Sequence, residues 1–258
     1  MRIGVTECKA LLAAARGQEL EALIEEFASD PRISVKRHVE AARRRRDSQM
    51  RERARLHALG QLERSLRDQG FTAVAGVDEV GRGALAGPVT VAAVILPPNV
   101  IIDGLDDSKA LDPRVRERVA TDVSKVAVSL CVTHVAAHVI DALGITVAIR
   151  RGIERALAAL EPAPDHALTD GHAFGLDLAE TNVFKGDSKV AAIAAASIVA
   201  KVARDQVMQR LEQVYPEWEL GVNKGYGTPG HLAAIRSCGV TPVHRRSFAP
   251  CSRDLTLF

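Results

Sequence analysis

Gly76-Val77-Asp78-Glu79-Val80-Gly81-Arg82-Gly83 puts two adjacent carboxylates at the end of an apolar run and follows them with a glycine on either side of an arginine. The residues before it, Ala73-Val74-Ala75, continue that run backwards as a strand. Carboxylates are rarely buried without a partner, so acids on a core strand ask for something that neutralises them. Successive strand residues point to opposite faces. Asp78 and Glu79 therefore reach one site only if the chain bends or bulges there, or if one acts from the strand's end. Gly81 and Gly83 supply the freedom for such a break, which predicts a strand terminating near Glu79 and an irregular loop that a ligand approaches closely. Gly81, Gly83 and Gly87 only loosely echo a dinucleotide-binding loop: the third glycine is one position late, and Pro88 opens a strand where that motif needs a helix.

Two further acids stand beside core elements. Asp170 ends the short apolar strand Ala167-Leu168-Thr169, and Asp187 opens a long apolar helix read over 187–214. Each has an ordinary reading of its own: Asp170 before Gly171 suits a turn, Asp187 before Ser188 suits a helix cap, and Asp78-Glu79 near Arg82 suits an ion pair. Taken together, four acids on core elements suit a divalent cation with hard-oxygen preference, Mg²⁺ or Mn²⁺. Two such ions roughly 3.5–4 Å apart can activate water and stabilise the leaving oxygen of a phosphodiester.

The surrounding pattern places these acids in an α/β protein. Strands are expected over 72–80, 88–96, 126–137, 167–170 and 181–185, with helices over 145–160, 187–214 and 229–237. Three strands in succession, then strands alternating with helices, predict a mixed central β-sheet flanked by helices. Residues 1–70 differ in texture and read as a helical N-terminal extension broken at Ser29-Asp30-Pro31-Arg32, with the catalytic domain expected over 71–258. The extension holds 15 Lys/Arg against 11 Asp/Glu, and its basic excess gathers around Arg43-Arg44-Arg45-Arg46. Such an arm suits a polyanionic partner. The interleaved Glu40, Asp47, Glu52 and Glu63 equally suit a salt-bridged, solvated helix face.

Composition is that of a globular protein, with 47% hydrophobic and 26% charged residues. Cys8, Cys131, Cys238 and Cys251 form no C-x-x-C pair, which suits reduced thiols in the cytoplasm. Charges at Arg2, Glu7, Lys9, Arg16 and Glu19 interrupt any signal or membrane segment at the start.

The segment from Gly76 to Gly83 resembles the signature of ribonuclease HII. So do Asp107-Ser108-Lys109, Lys185-Gly186-Asp187-Ser188 with Ala200-Lys201-Val202-Ala203-Arg204-Asp205, Asn223-Lys224-Gly225-Tyr226-Gly227-Thr228, and His244-Arg245-Arg246-Ser247-Phe248, all in the family's order. The part before Phe71 resembles the helical extension of some longer bacterial members. The resemblance implies a ribonuclease H-like fold with Asp78, Glu79, Asp170 and Asp187 as catalytic metal ligands. It implies that Gly81, Arg82 and Gly83 read the ribonucleotide's 2′-hydroxyl and nearby phosphates, the group by which RNA is told from DNA. Tyr226 would lie against the sugar 3′ to the cut, and Lys109 would contact a phosphate. Ala84 departs from the proline common after the loop, which predicts a less rigid loop, and the Gly-Arg-Gly sequence itself argues against ribonuclease HIII. The implied substrates are RNA/DNA hybrids and duplex DNA with embedded ribonucleotides, the enzyme acting as a monomer. Competing readings are another nuclease of this fold, such as a Holliday-junction resolvase, and a non-catalytic nucleic-acid-binding protein using the basic arm.

Overall fold

The structure, a computed structural model, describes residues 3–252. In chain order the helices and strands are α1 (Val5–Ala14), α2 (Gly17–Ala28), α3 (Ile33–Leu59), α4 (Gln61–Asp68), β1 (Val74–Val80), β2 (Val89–Ile95), α5 (Pro113–Val126), β3 (Ser129–Val135), α6 (Ala137–Leu143), α7 (Ile145–Ala158), β4 (His166–Asp170), β5 (Ala179–Val183), α8 (Ala191–Val214), α9 (Leu220–Asn223) and α10 (Pro229–Cys238). Two compact units result, one ending at Arg55 and the other starting at Leu56. Among the described residues no helix is long and apolar enough to cross a membrane.

In the first unit, α1 and α2 bury Cys8, Leu12, Leu20, Ile24 and Phe27 against Val35, Val39 and Ala42 of α3. The arginine run is largely occupied. Arg45 donates to the carbonyls of Leu12 (2.6 Å), Ala13 (3.1 Å) and Ala15 (3.2 Å), satisfying acceptors left open at the end of α1. Arg46 pairs with Glu21 and Asp47, and Arg44 with Glu40. Ion pairs on the helix face thus take up two of the four arginines, Arg44 and Arg46.

The second unit is a mixed five-stranded sheet in the order β3-β2-β1-β4-β5. β1, β2 and β3 pair antiparallel, and β4 joins β1, then β5 joins β4, in parallel. α8 lies on one face, its alanines meeting Ala92 and Val94, while Ile149 and Ile153 of α7 cover Val77, Val91 and Ala93 on the other. Gly76 is where helix and strand come closest, and any side chain there would overlap the Ala192 backbone. The expected mixed sheet is present. The stretch before β3 differs from its reading as strand: Val126 closes α5, whose Asp112 cap accepts from the Arg114 N–H. The helix read as beginning at Asp187 begins at Ala191, and Asp187 lies in a 3₁₀ turn, Gly186–Ser188.

α8 has no side-chain cap of its own, its N-cap residue being Val190. Glu63 of α4 serves instead, its buried carboxylate accepting from the Ala192 N–H at 2.8 Å. Burial pushes the Glu63 carboxyl up, with the Ala192 bond opposing it. Glu63→Ala should therefore cost about 1–3 kcal/mol, the usual penalty for a buried donor left without its acceptor. Glu63→Gln keeps an acceptor and removes a desolvated charge, so it should melt at or above wild type. Thermal unfolding of the two variants checks this, and equal melting points would remove Glu63 from the capping role.

Candidate active site

β1 and β4 pair only as far as Val77 with Thr169. Beyond that point the parallel strands part, and their carboxyl ends carry Asp78-Glu79 and Asp170. This is the crevice in which open α/β sheets bind ligands. On its other edge β1 stays in regular register with β2 through Val80, Asp78 facing Ala92 and Glu79 facing Val91. The strand does end beside Glu79, but no bulge turns the two acids to one face. Alternation puts Asp78 on the α8 face with Gly76, and Glu79 on the α7 face with Val77. Asp170 follows Leu168, which packs with Ile193 of α8, so it shares the face of Asp78.

Asp170 accepts from the Gly186 N–H at 2.7 Å, tying β4 to the turn that presents Asp187. That turn, and not a capping role, places Asp187. Asp78 accepts from the Glu79 N–H at 2.7 Å, and Ser197 of α8 favours its charged form. Ser197 is in turn 2.9 Å from Ser108, so the Asp107-Ser108-Lys109 block docks on the same helix position. Lys109 leans to the acids: its Nζ is 3.5 Å from Asp187. Arg82, half exposed, has Nη1 3.6 Å from Glu79.

Crowded negative charge shows in the titration of these groups. Burial raises Asp78 to about 8, helped by Glu79 and Asp170 and opposed by the Ser197 and Glu79 hydrogen bonds. Burial likewise raises Glu79 to about 7, with Arg82 opposing and Asp170 reinforcing. Asp187 is raised by burial, then by Asp107 and Asp170, against Lys109. Lys109 is raised although partial burial pulls it down, because Asp187, Asp107 and Asp78 face it. Among the described residues no three such side chains converge tightly enough to close on one ion as they stand. In chemistry the set fits a hard cation: it is all oxygen, and burial destabilises the charge on Asp78, Glu79 and Asp187 until a cation offsets it.

The loop after β1 is fixed from beneath by two arginines that are wholly buried, Arg204 of α8 and Arg245. Arg204 donates to the carbonyls of Pro88 (2.9 Å), Lys224 (2.8 Å) and Ala86 (3.2 Å). Arg245 donates to Gly87 O (3.1 Å) and Arg82 O (2.9 Å). Gly81, at φ +93°, lies where a Cβ would overlap Arg204 Nε. Gly83 is exposed, and a Cβ there would meet nothing within 4 Å. The two glycines thus differ: the first admits the arginine below, the second leaves backbone open to a ligand above. Ala84 is no weakness, because its N–H donates to Gly81 O at 3.3 Å, a bond proline could not make. Leu85 and Ala86 N–H both donate to Gly225 O, joining this loop to the Tyr226 loop. Tyr226 is 38% exposed, with the Arg204 guanidinium 5.6 Å from its ring centre.

Sequence reasoning missed Ser197, and it quoted Arg204 and Arg245 within the family-like blocks without giving either a role. Ser197 had a signal, a lone hydroxyl in an alanine-rich helix; nothing local marks the two arginines as buried.

Comparison with known proteins shows which proteins this chain is similar to. A family model described as ribonuclease HII matches residues 75–251, and one described as the ribonuclease HII N-terminal domain matches residues 5–67. The chain is 43% identical over 251 residues to a ribonuclease HII of Geobacillus thermodenitrificans, covering 97% of this chain and 96% of that one. A ribonuclease HII of Geobacillus kaustophilus is 43% identical over 246 residues, 90% of this chain and 94% of that one. Among solved structures, ribonuclease H2 from Pyrococcus horikoshii superposes with a TM-score of 0.61 at 26% identity, covering 70% of this chain and 95% of that chain. Bst-RNase HIII, solved in complex with Mn²⁺, shares the fold at a TM-score of 0.56 and 20% identity, covering 78% and 71%.

Proposed function

The chain belongs to the ribonuclease HII family and is a ribonuclease H endonuclease; from that premise we propose that it hydrolyses the phosphodiester 5′ to a ribonucleotide in RNA/DNA hybrids and in duplex DNA carrying embedded ribonucleotides, leaving a 3′-hydroxyl and a 5′-phosphate. The observation that carries this reading is the juxtaposition at the end of β1: buried acids on one side of Val80, and on the other a glycine loop held rigid by two buried arginines.

Asp78, Glu79, Asp170 and Asp187 would hold Mg²⁺ or Mn²⁺. When bound, such ions polarise the phosphate and activate water for attack. The Glu79 N–H orients the Asp78 carboxylate, and Ser197 favours its charged form. Lys109 adds a positive charge beside Asp187, where the phosphate would arrive. The open backbone of Gly83, with Gly81 and Arg82, reads the 2′-hydroxyl and holds a phosphate; the planar guanidinium makes lysine a poor replacement. Tyr226 packs against the sugar on the 3′ side, where a deoxyribose fits best. The unpaired thiols of the described cysteines suit a reducing cytoplasm, and the protein works as a monomer.

A duplex containing one ribonucleotide tests the whole reading. The expected product is a single nick on its 5′ side, dependent on Mg²⁺ or Mn²⁺. Cutting of all-DNA four-way junctions in preference to this duplex would transfer the protein to the resolvase reading. Metal-independent binding with no cleavage would make it a binding protein.

A further inference from the structure

His231 and His244 are buried side by side beneath the Tyr226 loop, His231 wholly and His244 at 1% exposure. Their hydrogen bonds leave only one arrangement of protons. The Thr241 N–H points at His244 Nδ1 from 3.0 Å and can only donate, so that nitrogen is bare. A neutral imidazole then carries its proton on Nε2. His244 Nε2 lies 3.1 Å from His231 Nε2, so it donates there, and His231 Nε2 is bare. The His231 proton is left on Nδ1, 3.0 Å from the Tyr226 carbonyl, which can only accept. Both ends of the chain enforce the same direction: Thr241 to His244 to His231 to Tyr226. Burial lowers the proton affinity of both rings, and His231 lowers that of His244 further, to about 4, so neither ring is charged at neutral pH.

The next residue after His244 is Arg245, whose guanidinium holds the carbonyls of Arg82 and Gly87. One short segment, Thr241 to Arg245, therefore anchors both loops: through the histidines it sets Tyr226, and through the arginine it sets the Gly-Arg-Gly loop. We propose that His231 and His244 are positioning residues that lock Tyr226 in register with the Gly81–Gly83 loop, so that the two groups read a ribonucleotide and its 3′ neighbour as one rigid gauge. This rests on the roles given above to Tyr226 and the loop. The Tyr226 carbonyl also accepts from the Thr228 N–H at 2.8 Å, so losing the histidine bond removes orientation without orphaning the carbonyl.

Two substitutions separate this from simple packing. An asparagine amide occupies the place of Nδ1, so His231→Asn keeps a donor to Tyr226. A glutamine amide occupies the place of Nε2, so His231→Gln does not. The readout is the ratio of kcat/KM on a duplex with one embedded ribonucleotide to that on a continuous RNA/DNA hybrid. His231→Gln should lower the ratio about tenfold, the worth of one orienting hydrogen bond, while His231→Asn holds it within about twofold. Equal losses on both substrates, or an unchanged ratio in His231→Gln, would overturn the proposal. The native protein supplies a check that needs no variant to fold. Its ¹⁵N imidazole spectrum should show His231 as the Nδ1–H tautomer and His244 as the Nε2–H tautomer, and a proton on His231 Nε2 would overturn the proposal equally. A wild-type enzyme that leaves embedded ribonucleotides uncut would instead sink the functional reading, and the tautomers would still be read separately.

Discussion

Asp78→Asn should lose cleavage in Mg²⁺ or Mn²⁺ by on the order of 10³-fold or more, because a cation-holding charge is worth several kcal/mol in the transition state. Hybrid binding should change by less than about threefold, since Arg82, Tyr226 and the loop backbone are untouched. Stability moves the other way. Asp78 is held near 8, so at neutral pH the folded protein carries an unfavourable buried carboxylate or a proton the unfolded chain would release. For a carboxyl raised on folding, the stability penalty grows as pH rises from the unfolded pKa near 4 to the folded value near 8. Asparagine removes it, so the variant should melt above wild type in metal-free buffer at pH 8 and gain less from added Mn²⁺. Because protons compete for the same carboxylates, apparent cation affinity of the wild type should strengthen as pH rises through 7 to 8. Near-normal turnover by Asp78→Asn in Mg²⁺ would remove the cation assignment outright.

Gly81→Ala is expected to be a severely damaging single methyl in the second unit. Gly81 has φ +93°, which strains any L side chain, and the added Cβ overlaps Arg204 Nε. The guanidinium cannot retreat freely, because its donors are committed to Pro88, Lys224 and Ala86. Strain plus the weakened arginine bonds should cost about 2–5 kcal/mol. For a domain of this size that lowers the melting temperature by roughly 5–15 °C. Gly83→Ala meets no neighbour and should melt like wild type, yet lose ribonucleotide cleavage by at least about tenfold if its bare backbone meets the 2′-hydroxyl. Differential scanning calorimetry with cleavage assays on both variants tests the division. If Gly81→Ala unfolds like wild type, or Gly83→Ala cuts embedded ribonucleotides normally, the two glycines do not have these separate tasks.

Much of the second unit could be read from the residues because its elements obey simple periods. The runs at 74–77 and 91–95 are continuous apolar stretches of β1 and β2, and the alanines of α8 announce close approach to a sheet. α5 was missed although its signal was present, Asp112 before Pro113 being a strong helix start followed by Val119, Ala120 and Val123 on one face. The expected break at Glu79 came from assuming that both acids must leave one face. The strand instead stays regular, and the crevice opens because β4 departs after Val77, a property of a strand pair far apart in sequence. The acids themselves stood out because they sit where apolar side chains belong. Arg204, Arg245, Glu63 and the two histidines did not, since a charged or polar residue looks the same in sequence whether it faces water or the interior. Only the fold shows which hydrogen-bond partners they serve.

The departure of β4 from β1 also has a consequence in time. The first three strands, β1 to β3, are neighbours in the sheet and leave the ribosome before β4. Asp170, Asp187 and Tyr226 arrive much later, and α8, which packs on the Asp78 face of the sheet, arrives with them. A nascent or prematurely ended chain thus carries Asp78 and Glu79 with nothing to complete them. On the reading proposed above, cutting power is withheld until Asp170, Asp187 and Tyr226 have been made.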